Sequence, residues 1–163
     1  KGEVEDAVLA SSETQRDALW NLREAVSEAQ KHEGGSIKHD ISVPISRIGD
    51  FMERATAMVE REIPGVRVCA FGHVGDGNIH FNLSQPVGAD KEAFLGQWQR
   101  INRRINELLG EMGGSISAEH GIGKLKKDQL AAFRPAVEID MMRRIKRALD
   151  PDNIMNPGKV VQI

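Results

Sequence analysis

The spacing of apolar residues between positions 37 and 118 constrains the fold more strongly than any other feature of this sequence. Four segments alternate apolar and polar residues, as half-buried strands do, and two segments repeat apolar residues every three or four positions, as helices do. The predicted strands cover residues 37–43, 66–74, 79–84 and 115–118, and the predicted helices cover residues 46–62 and 91–112. The order is therefore strand, helix, strand, strand, helix, strand.

That order is typical of the ferredoxin-like, split βαβ arrangement, an α+β fold with one antiparallel sheet and both helices on the same face. Two further helical patterns flank it, at residues 14–32 and 136–149. The second pattern stops at Asp150-Pro151, because proline cannot continue a helix. We expect residues 1–163 to form one domain, in which residues 133–163 are a helical tail.

Composition excludes several classes of protein. No uncharged apolar run approaches the roughly 18 residues that suggest a membrane span, and the 22 basic and 24 acidic residues lack the basic excess of nucleic-acid binders. The single cysteine, Cys69, excludes an internal disulfide framework and a cysteine-rich zinc site. Because the sequence starts at Lys1 without a signal-like stretch, we expect a fragment of a protein of the bacterial cytoplasm or, alternatively, the mitochondrial matrix.

Asp76-Gly77, between two predicted strands, indicates a two-residue type I′ hairpin turn. That register places His73 directly opposite His80, close enough for both imidazoles to bind one metal ion. Alternation along the strands adds three residues to the same polar face: Lys38, Asp40 and Asn82. The face therefore combines charged, amide and imidazole groups.

Glu119 supplies a carboxylate that would complete a divalent-metal site with the two histidines. In the simplest topology, however, the strand at residues 115–118 carries Glu119 to the end of the sheet away from the hairpin turn. Glu119 reaches the histidines only if that strand is short or displaced, or if residues 119–121 fold back.

Each of these residues also has a purely structural interpretation. A pair of opposed histidines on a hairpin is often merely exposed, and residues 119–121 read equally well as an ordinary loop. Lys38 and Arg23 could equally be solvated surface charges, and Cys69 could be a small residue that packs within a strand. Four basic residues near the end of the last helix complement its dipole: Arg143, Arg144, Lys146 and Arg147.

Three motifs in this order closely resemble the C-terminal domain of FAD-linked oxidases, which include D-lactate dehydrogenases, the glycolate oxidase flavin subunit and D-2-hydroxyglutarate dehydrogenase. They are residues 71–80 (FGHVGDGNIH), 117–123 (SAEHGIG) and 156–159 (NPGK), and residues 37–44 (IKHDISVP) accompany them. The resemblance implies the substrate-side domain of a flavoenzyme that oxidises a D-2-hydroxy acid to a 2-oxo acid. It also implies an N-terminal FAD-binding domain to which the tail returns, and we expect the segment alone to be inactive.

The resemblance also implies roles for individual residues. In relatives of the hydroxyglutarate type, three residues bind a divalent metal such as zinc or manganese, and they match His73, His80 and Glu119. The residue that matches His120 is the catalytic base. Four substrate-binding positions match Arg23, Ser27, Lys38 and Asn82. Ser27 stands where such relatives usually have threonine, which keeps the hydroxyl. Asn156 and Glu119 are expected to contact the cofactors, and FAD is expected mainly on the N-terminal domain.

The implied partners are a small-molecule 2-hydroxy acid and the FAD-binding domain of the same protein. A homodimer is left open, and neither nucleic acid nor a membrane span is expected. Two other functions stay open on the residues alone. One is a ferredoxin-like module that binds a small molecule or regulates without redox chemistry, and it needs neither the histidine hairpin nor Glu119-His120. The other is a metal-dependent hydrolase, for which no separate water-activating carboxylate is evident.

Overall fold

The strand Asn78–Ser84, β4, lies at the centre of the sheet because it forms hydrogen bonds along both of its edges. The computed structural model describes residues 2 and 4–163. One edge of β4 pairs with β3 (Arg67–His73), and the other pairs with β1 (Ser36–Ile37) and β2 (Asp40–Ser42). All of these pairings are antiparallel, and Ser115 adds a bridge outside β2. The arrangement confirms the predicted α+β fold.

β1 and β2 form one interrupted strand over residues 36–42, close to the segment predicted at residues 37–43. Both share a single register with β4, in which Asp40 lies opposite His80. Between them, the N–H of Phe81 donates to the carbonyl of His39 (3.0 Å). Because opposed residues share a face, Asp40 and His80 point to the same side of the sheet.

The two-residue turn predicted between β3 and β4 is wrong. His73 lies opposite Asn78, and Phe71 lies opposite His80. Residues 74–77 form the turn and include one turn of 3₁₀ helix. Because the register differs from the predicted one by an even number of residues, His73 and His80 still share a face but are diagonal rather than direct neighbours.

Gly77 explains why this turn is longer. Its backbone is left-handed (φ 72°), a conformation that favours glycine, and its carbonyl accepts a hydrogen bond from the N–H of Val43 (3.0 Å). A Cβ atom at this position would overlap the carbonyl oxygen of Val43. The turn is therefore held by its contact with Val43, just after β2, as well as by the pairing of the two hairpin strands.

The strand predicted at residues 115–118 is also wrong, because it is reduced to a single bridge. Ser115 and Ser42 exchange two backbone hydrogen bonds (2.8 and 3.1 Å), and the chain then leaves the edge of the sheet. From Ser117 onward it folds back over the polar face. This is the short strand that allows Glu119 to approach the histidines.

The two helices of the predicted motif pack on the same face of the sheet, as α3 (Ile48–Glu62) and α5 (Trp98–Met112). A 3₁₀ turn (Ile45–Arg47) precedes α3. The helix predicted at residues 91–112 is interrupted after α4 (Lys91–Leu95), because Gly96 and Gln97 separate it from α5.

The flanking helices are divided more finely than the sequence predicts. The pattern at residues 14–32 forms α1 (Glu13–Glu24), α2 (Val26–Ala29) and a 3₁₀ turn (Gln30–Glu33). At the other end, α7 (Ala136–Leu149) matches its prediction, whereas α6 (Lys127–Phe133) has no predicted counterpart. None of the residues of α1 is buried, so its apolar pattern does not contribute to the core.

The core lies between the sheet and the helices α3 and α5. Phe51 and Phe81 meet edge to face, with ring centroids 5.6 Å apart, and both are fully buried. Burial of a side chain of this size stabilises a fold by about 1.5–3 kcal/mol. The other largest buried side chains are Ile37, Ile41, Val59, Leu83, Ile101, Ile105 and Leu109. In the part of the chain that the structure describes, no helix has the length and apolar character needed to cross a membrane.

His39 is a buried titratable group on the core face of the sheet. Its Nδ1 donates to the carbonyl of Phe81 (2.8 Å), and the residue is 5% exposed. Burial lowers the pKa of His39 to about 4, and the hydrogen bond to Phe81 offsets only part of this effect. The neutral imidazole therefore stabilises the fold above the unfolded pKa of about 6.5, and this contribution is lost as the pH falls towards the folded pKa.

We expect the variant His39→Asn, which keeps a donor for Phe81, to lose part of the pH dependence of stability. In the native chain, this imidazole alone should lower the free energy of unfolding by about 2 kcal/mol between about pH 7 and about pH 5. Urea unfolding of both chains at the two pH values tests this. The carboxylates titrate in both chains, so the difference between the chains isolates the contribution of His39. The same pH dependence in the two chains would show that His39 takes up no proton on unfolding.

Candidate active and metal-binding site

The carboxylate of Asp40 holds the segment that carries Glu119 and His120. Its oxygens accept hydrogen bonds from the backbone N–H groups of Ala118 (3.1 Å), Glu119 (3.1 Å) and His120 (2.9 Å). The hydroxyl of Ser117 donates a further bond (3.1 Å). Because Asp40 is buried, these donors replace the water that burial removes. The carboxylate therefore explains why the chain leaves the sheet at this point.

Two opposed effects act on the ionisation of Asp40. Burial by itself would raise the pKa of this carboxyl, but the hydrogen bonds from His120, Glu119 and Ser117 hold the pKa below its ordinary value. The resulting stabilisation is present above the unfolded pKa and is lost as the pH falls through the folded pKa. At neutral pH, Asp40 is therefore a fixed anion beneath the loop.

Glu119 lies between the two histidines of the hairpin. Its Oε1 is 2.9 Å from Nδ1 of His73, and its Oε2 is 3.7 Å from Nε2 of His80. The amide of Asn78 donates a short hydrogen bond to Oε1 and orients the carboxylate. In a tetrahedral shell with bonds of about 2.1 Å, ligand atoms lie about 3.4 Å apart. The two distances from Glu119 are near this value, and two imidazoles with a carboxylate are donor types that suit a divalent transition metal.

A second set of potential metal ligands overlaps the first. One ligand atom from each of Asp40, His80 and His120 lies within 4.8 Å of the others. The oxygens of Asp40, however, already accept hydrogen bonds from four neighbouring groups, which leaves few lone pairs for a cation. The carboxylate of Glu119 is 44% exposed and therefore more accessible to a cation, but the ligand atoms of His73, His80 and Glu119 do not all lie within 4.8 Å of one another.

His120 stands over His80 on the polar face of the sheet. The two rings are stacked, with centroids 5.7 Å apart. Nδ1 of His120 lies 3.8 Å from the carboxylate of Asp40, and the side chain is 68% exposed. The backbone of His120 is therefore fixed by Asp40, while its ring remains accessible to a small molecule.

A cavity of about 200 Å³ adjoins the histidines and is bounded by the N-terminal helices. Arg23 and Ser27 line it from α1 and α2, and His73 and His80 line it from the hairpin. Phe71 supplies an apolar wall, with its ring 5.2 Å from that of His80. The structure thus brings two of the predicted substrate residues together with two of the predicted metal ligands.

Besides Glu119 and His120, three other predicted residues lie outside the lining of this cavity. Lys38 is exposed on the strand segment between β1 and β2. Asn82 is buried, and its amide donates to the side chain of Gln30 (2.8 Å). Asn156 belongs to the C-terminal turn, where its side-chain oxygen accepts a hydrogen bond from Nζ of Lys159 (2.9 Å).

Three residues that organise the site have no role predicted from the sequence: Asp40, Asn78 and Gln30. Alternation places Asp40 on the polar face. A carboxylate in the middle of a strand indicates that nearby hydrogen-bond donors surround it in the folded protein. Asn78 and Gln30 carry no comparable signal, because their contacts join segments 41 and 52 residues apart in sequence.

The whole sequence, and not only its motifs, matches a known family. The sequence pattern of "FAD linked oxidases, C-terminal domain" matches residues 1–160. This chain belongs to that family. Membership confirms the resemblance found in the motifs, identifies FAD as the cofactor of the oxidases in which the domain occurs, and disfavours a regulatory module without redox chemistry.

Relatives of this FAD-linked oxidase domain match almost all of the chain. The D-2-hydroxyglutarate dehydrogenase of Stutzerimonas stutzeri is 41% identical over 160 residues, which are 98% of this chain and 34% of the relative. The one from Xanthomonas citri pv. viticola is 39% identical over 162 residues, with coverages of 99% and 34%. The mitochondrial enzyme of Danio rerio is 38% identical over 160 residues, with coverages of 97% and 28%. The chain thus spans about a third of the length of these relatives.

We expect Asp40→Asn to loosen the segment 117–120, because an amide nitrogen cannot accept the hydrogen bonds that the carboxylate receives. The free energy of unfolding should fall by about 2–3 kcal/mol, and the amides of residues 118–120 should exchange faster with deuterium. Asp50→Asn is the matched control, since Asp50 is an exposed carboxylate paired with Arg47 (3.1 Å), and such pairs contribute at most about 1 kcal/mol. Equal stability of the two variants would contradict this role of Asp40.

Proposed function

We propose that this chain is the C-terminal part of a flavin-dependent dehydrogenase that oxidises a D-2-hydroxy acid to the 2-oxo acid. The observation that carries the proposal is the convergence of His73, His80 and Glu119 beside a cavity lined by Arg23, in a member of the FAD-linked oxidase family. Because its relatives are named for D-2-hydroxyglutarate, this acid is the first substrate to test, followed by D-lactate and glycolate.

His73, His80 and Glu119 would hold a divalent cation, with zinc and manganese as the candidates. Two imidazoles and one carboxylate leave positions open for oxygens of the substrate. A bound cation lowers the pKa of a hydroxyl that coordinates it. Asn78, which already donates to Glu119, would keep the carboxylate aligned with the histidines.

His120 would take the proton of the substrate hydroxyl. Its exposed ring stacks on His80 and therefore stands beside the proposed metal ligands. Imidazole is the commonest general base in enzymes. The substrate would lose this proton to His120 and a hydride from C2 to the flavin, which supplies the redox step.

Arg23 and Lys38 would neutralise the carboxylate charge of the substrate. Arginine can bind a carboxylate through two parallel hydrogen bonds, and Arg23 lines the cavity next to the histidines. Ser27 would add a hydroxyl from the same wall. Asn82 would reach the substrate only after its hydrogen bond to Gln30 opens.

The FAD would be held mainly by a domain that precedes this one, with Asn156 and Glu119 near the cofactors. The tail at residues 133–163 would return to that domain, and the exposed apolar side of α7 supports this contact. Its residues are Val137, Met141, Ile145 and Leu149. Because relatives occur in bacteria and in mitochondria, we propose the bacterial cytoplasm as the location and the mitochondrial matrix as the alternative.

The decisive experiment is metal-dependent reduction of the flavin in the full-length protein. We expect anaerobic D-2-hydroxyglutarate, D-lactate or glycolate to bleach the flavin absorbance of the zinc- or manganese-loaded enzyme. The metal-stripped enzyme should respond only after the metal is restored. If none of these acids bleaches the flavin of the metal-loaded enzyme, the proposed dehydrogenase activity is wrong.

His73→Ala should weaken zinc binding by roughly 100-fold or more in the full-length protein, because it removes one of three proposed ligands. Its effect on the melting temperature should be small, since His73 is exposed on the face of the sheet away from α3 and α5. Chelator competition and thermal unfolding measure the two effects. His32→Ala is the matched control, because His32 is exposed in the N-terminal 3₁₀ turn. A large loss of melting temperature with unchanged zinc affinity would make His73 a structural residue.

His120→Ala should slow flavin reduction by the substrate roughly 10²–10⁴-fold, the range expected for loss of a general base. FAD and zinc should remain bound, because neither depends on this ring in the proposal. Rapid mixing under anaerobic conditions gives the rate, and the flavin spectrum and elemental analysis give the occupancies. A near-normal rate would remove His120 from its proposed role.

A further inference from the structure

The ammonium group of Lys126 lies at the base of the loop that carries Glu119 and His120. Its Nζ donates to the carbonyl of Ile116 (2.7 Å) and lies 3.4 Å from the carbonyl of Asp40. Both partners are main-chain oxygens rather than carboxylates. Lys126 therefore connects two residues. One is Asp40, in the strand that holds the loop, and the other is Ile116, where the loop leaves the core.

The position of Lys126 is itself fixed. Its N–H donates to the carbonyl of Ile122 (3.1 Å) just before α6 begins, and Leu130 of α6 is buried in the core. The side chain is partly buried, and this burial lowers the pKa of the ammonium group, an effect that the charge of Asp40 partly offsets. Desolvation of an ammonium group is unfavourable unless hydrogen bonds compensate for it, and the two carbonyls provide that compensation.

Asp40 is thus bound from two directions. Its carboxylate accepts the N–H groups of residues 118–120, and its carbonyl faces the ammonium group of Lys126. Ile116, the other partner, is buried immediately before the loop. The carboxylate of Asp40 alone would fix the middle of the loop. Lys126 fixes the base of the loop as well.

We propose that Lys126 is a positioning residue that sets the placement of Glu119 and His120 over the histidines of the hairpin. Without its ammonium group, the backbone at Ile116 and Asp40 would lose a shared donor, and the loop could shift as a unit relative to β4. The functional part of this inference rests on the function proposed above. Its structural part concerns the loop itself and is measured without turnover.

Three variants separate the possibilities. Lys126→Met keeps an unbranched side chain of similar length and removes the donor. Lys126→Arg retains a cation with several N–H groups for the two carbonyls. Lys124→Met is the matched control, because it makes the same change at an exposed lysine two residues earlier in the chain.

In the full-length protein, we expect Lys126→Met to weaken zinc binding and to lower kcat, each by about 10–100-fold, with KM changed by less than about threefold. KM should change little because Arg23 and Ser27 belong to other segments. The amides of residues 118–120 should exchange faster with deuterium. Lys126→Arg should restore zinc affinity and kcat to within about fivefold of the native values, and Lys124→Met should match the native protein. If Lys126→Met does not fold, Lys126→Gln, which retains one amide donor group, should give an intermediate loss.

A purely structural role would lower the melting temperature of Lys126→Met and leave zinc affinity, kcat and the exchange of residues 118–120 unchanged, and this result would overturn the inference. An arginine variant as impaired as the methionine variant would also overturn it. If the native protein and Lys124→Met both lack metal-dependent flavin reduction, the proposed function fails. In that case, zinc affinity and amide exchange still decide whether Lys126 positions the loop.

Discussion

The buried carboxylate of Asp40 determines the path of the chain after the last bridge of the sheet. A buried anion is unfavourable unless donors surround it, and the N–H groups of residues 118–120 can reach Asp40 only if the loop folds over the polar face. A regular strand at residues 115–118 would leave Asp40 without these donors and would carry Glu119 away from the hairpin turn. One interaction therefore removes a predicted strand and creates the cluster of Glu119 with His73 and His80.

The order of elements and the membership of the polar face could be predicted because both depend on spacing along the chain. Alternation alone places Asp40, His73 and His80 on one side, and a register error of two residues does not change that side. The register of the hairpin could not be predicted, because it depends on the contact between Gly77 and Val43, which belong to segments that meet only in the folded protein.

The same distinction divides the candidate site. The sequence indicates that Glu119 reaches the histidines only if the preceding strand is short or the chain folds back. The structure meets this condition. The hydrogen bond between Asn82 and Gln30 was not predictable, because Gln30 lies in the distant N-terminal segment. The apolar pattern of that segment indicates a buried helix, whereas α1 buries none of its residues. Periodicity shows which residues share a face of a helix but not whether that face is covered.

Charge balance links the proposed metal site to the proposed substrate residues. Asp40 and Glu119 place two anions on one face, which would repel a substrate carboxylate. The charge of Asp40 is already met by backbone donors and by the nearby ammonium group of Lys126. Glu119, in contrast, is exposed, and its carboxylate faces imidazole and amide groups. A divalent cation at Glu119 would reverse the sign of this part of the face. Arg23, whose guanidinium lies over the ring of Trp20 (5.2 Å), would then attract the same carboxylate without opposing repulsion from Glu119. Under the proposed function, the cation and the arginine therefore act as one anion-binding surface.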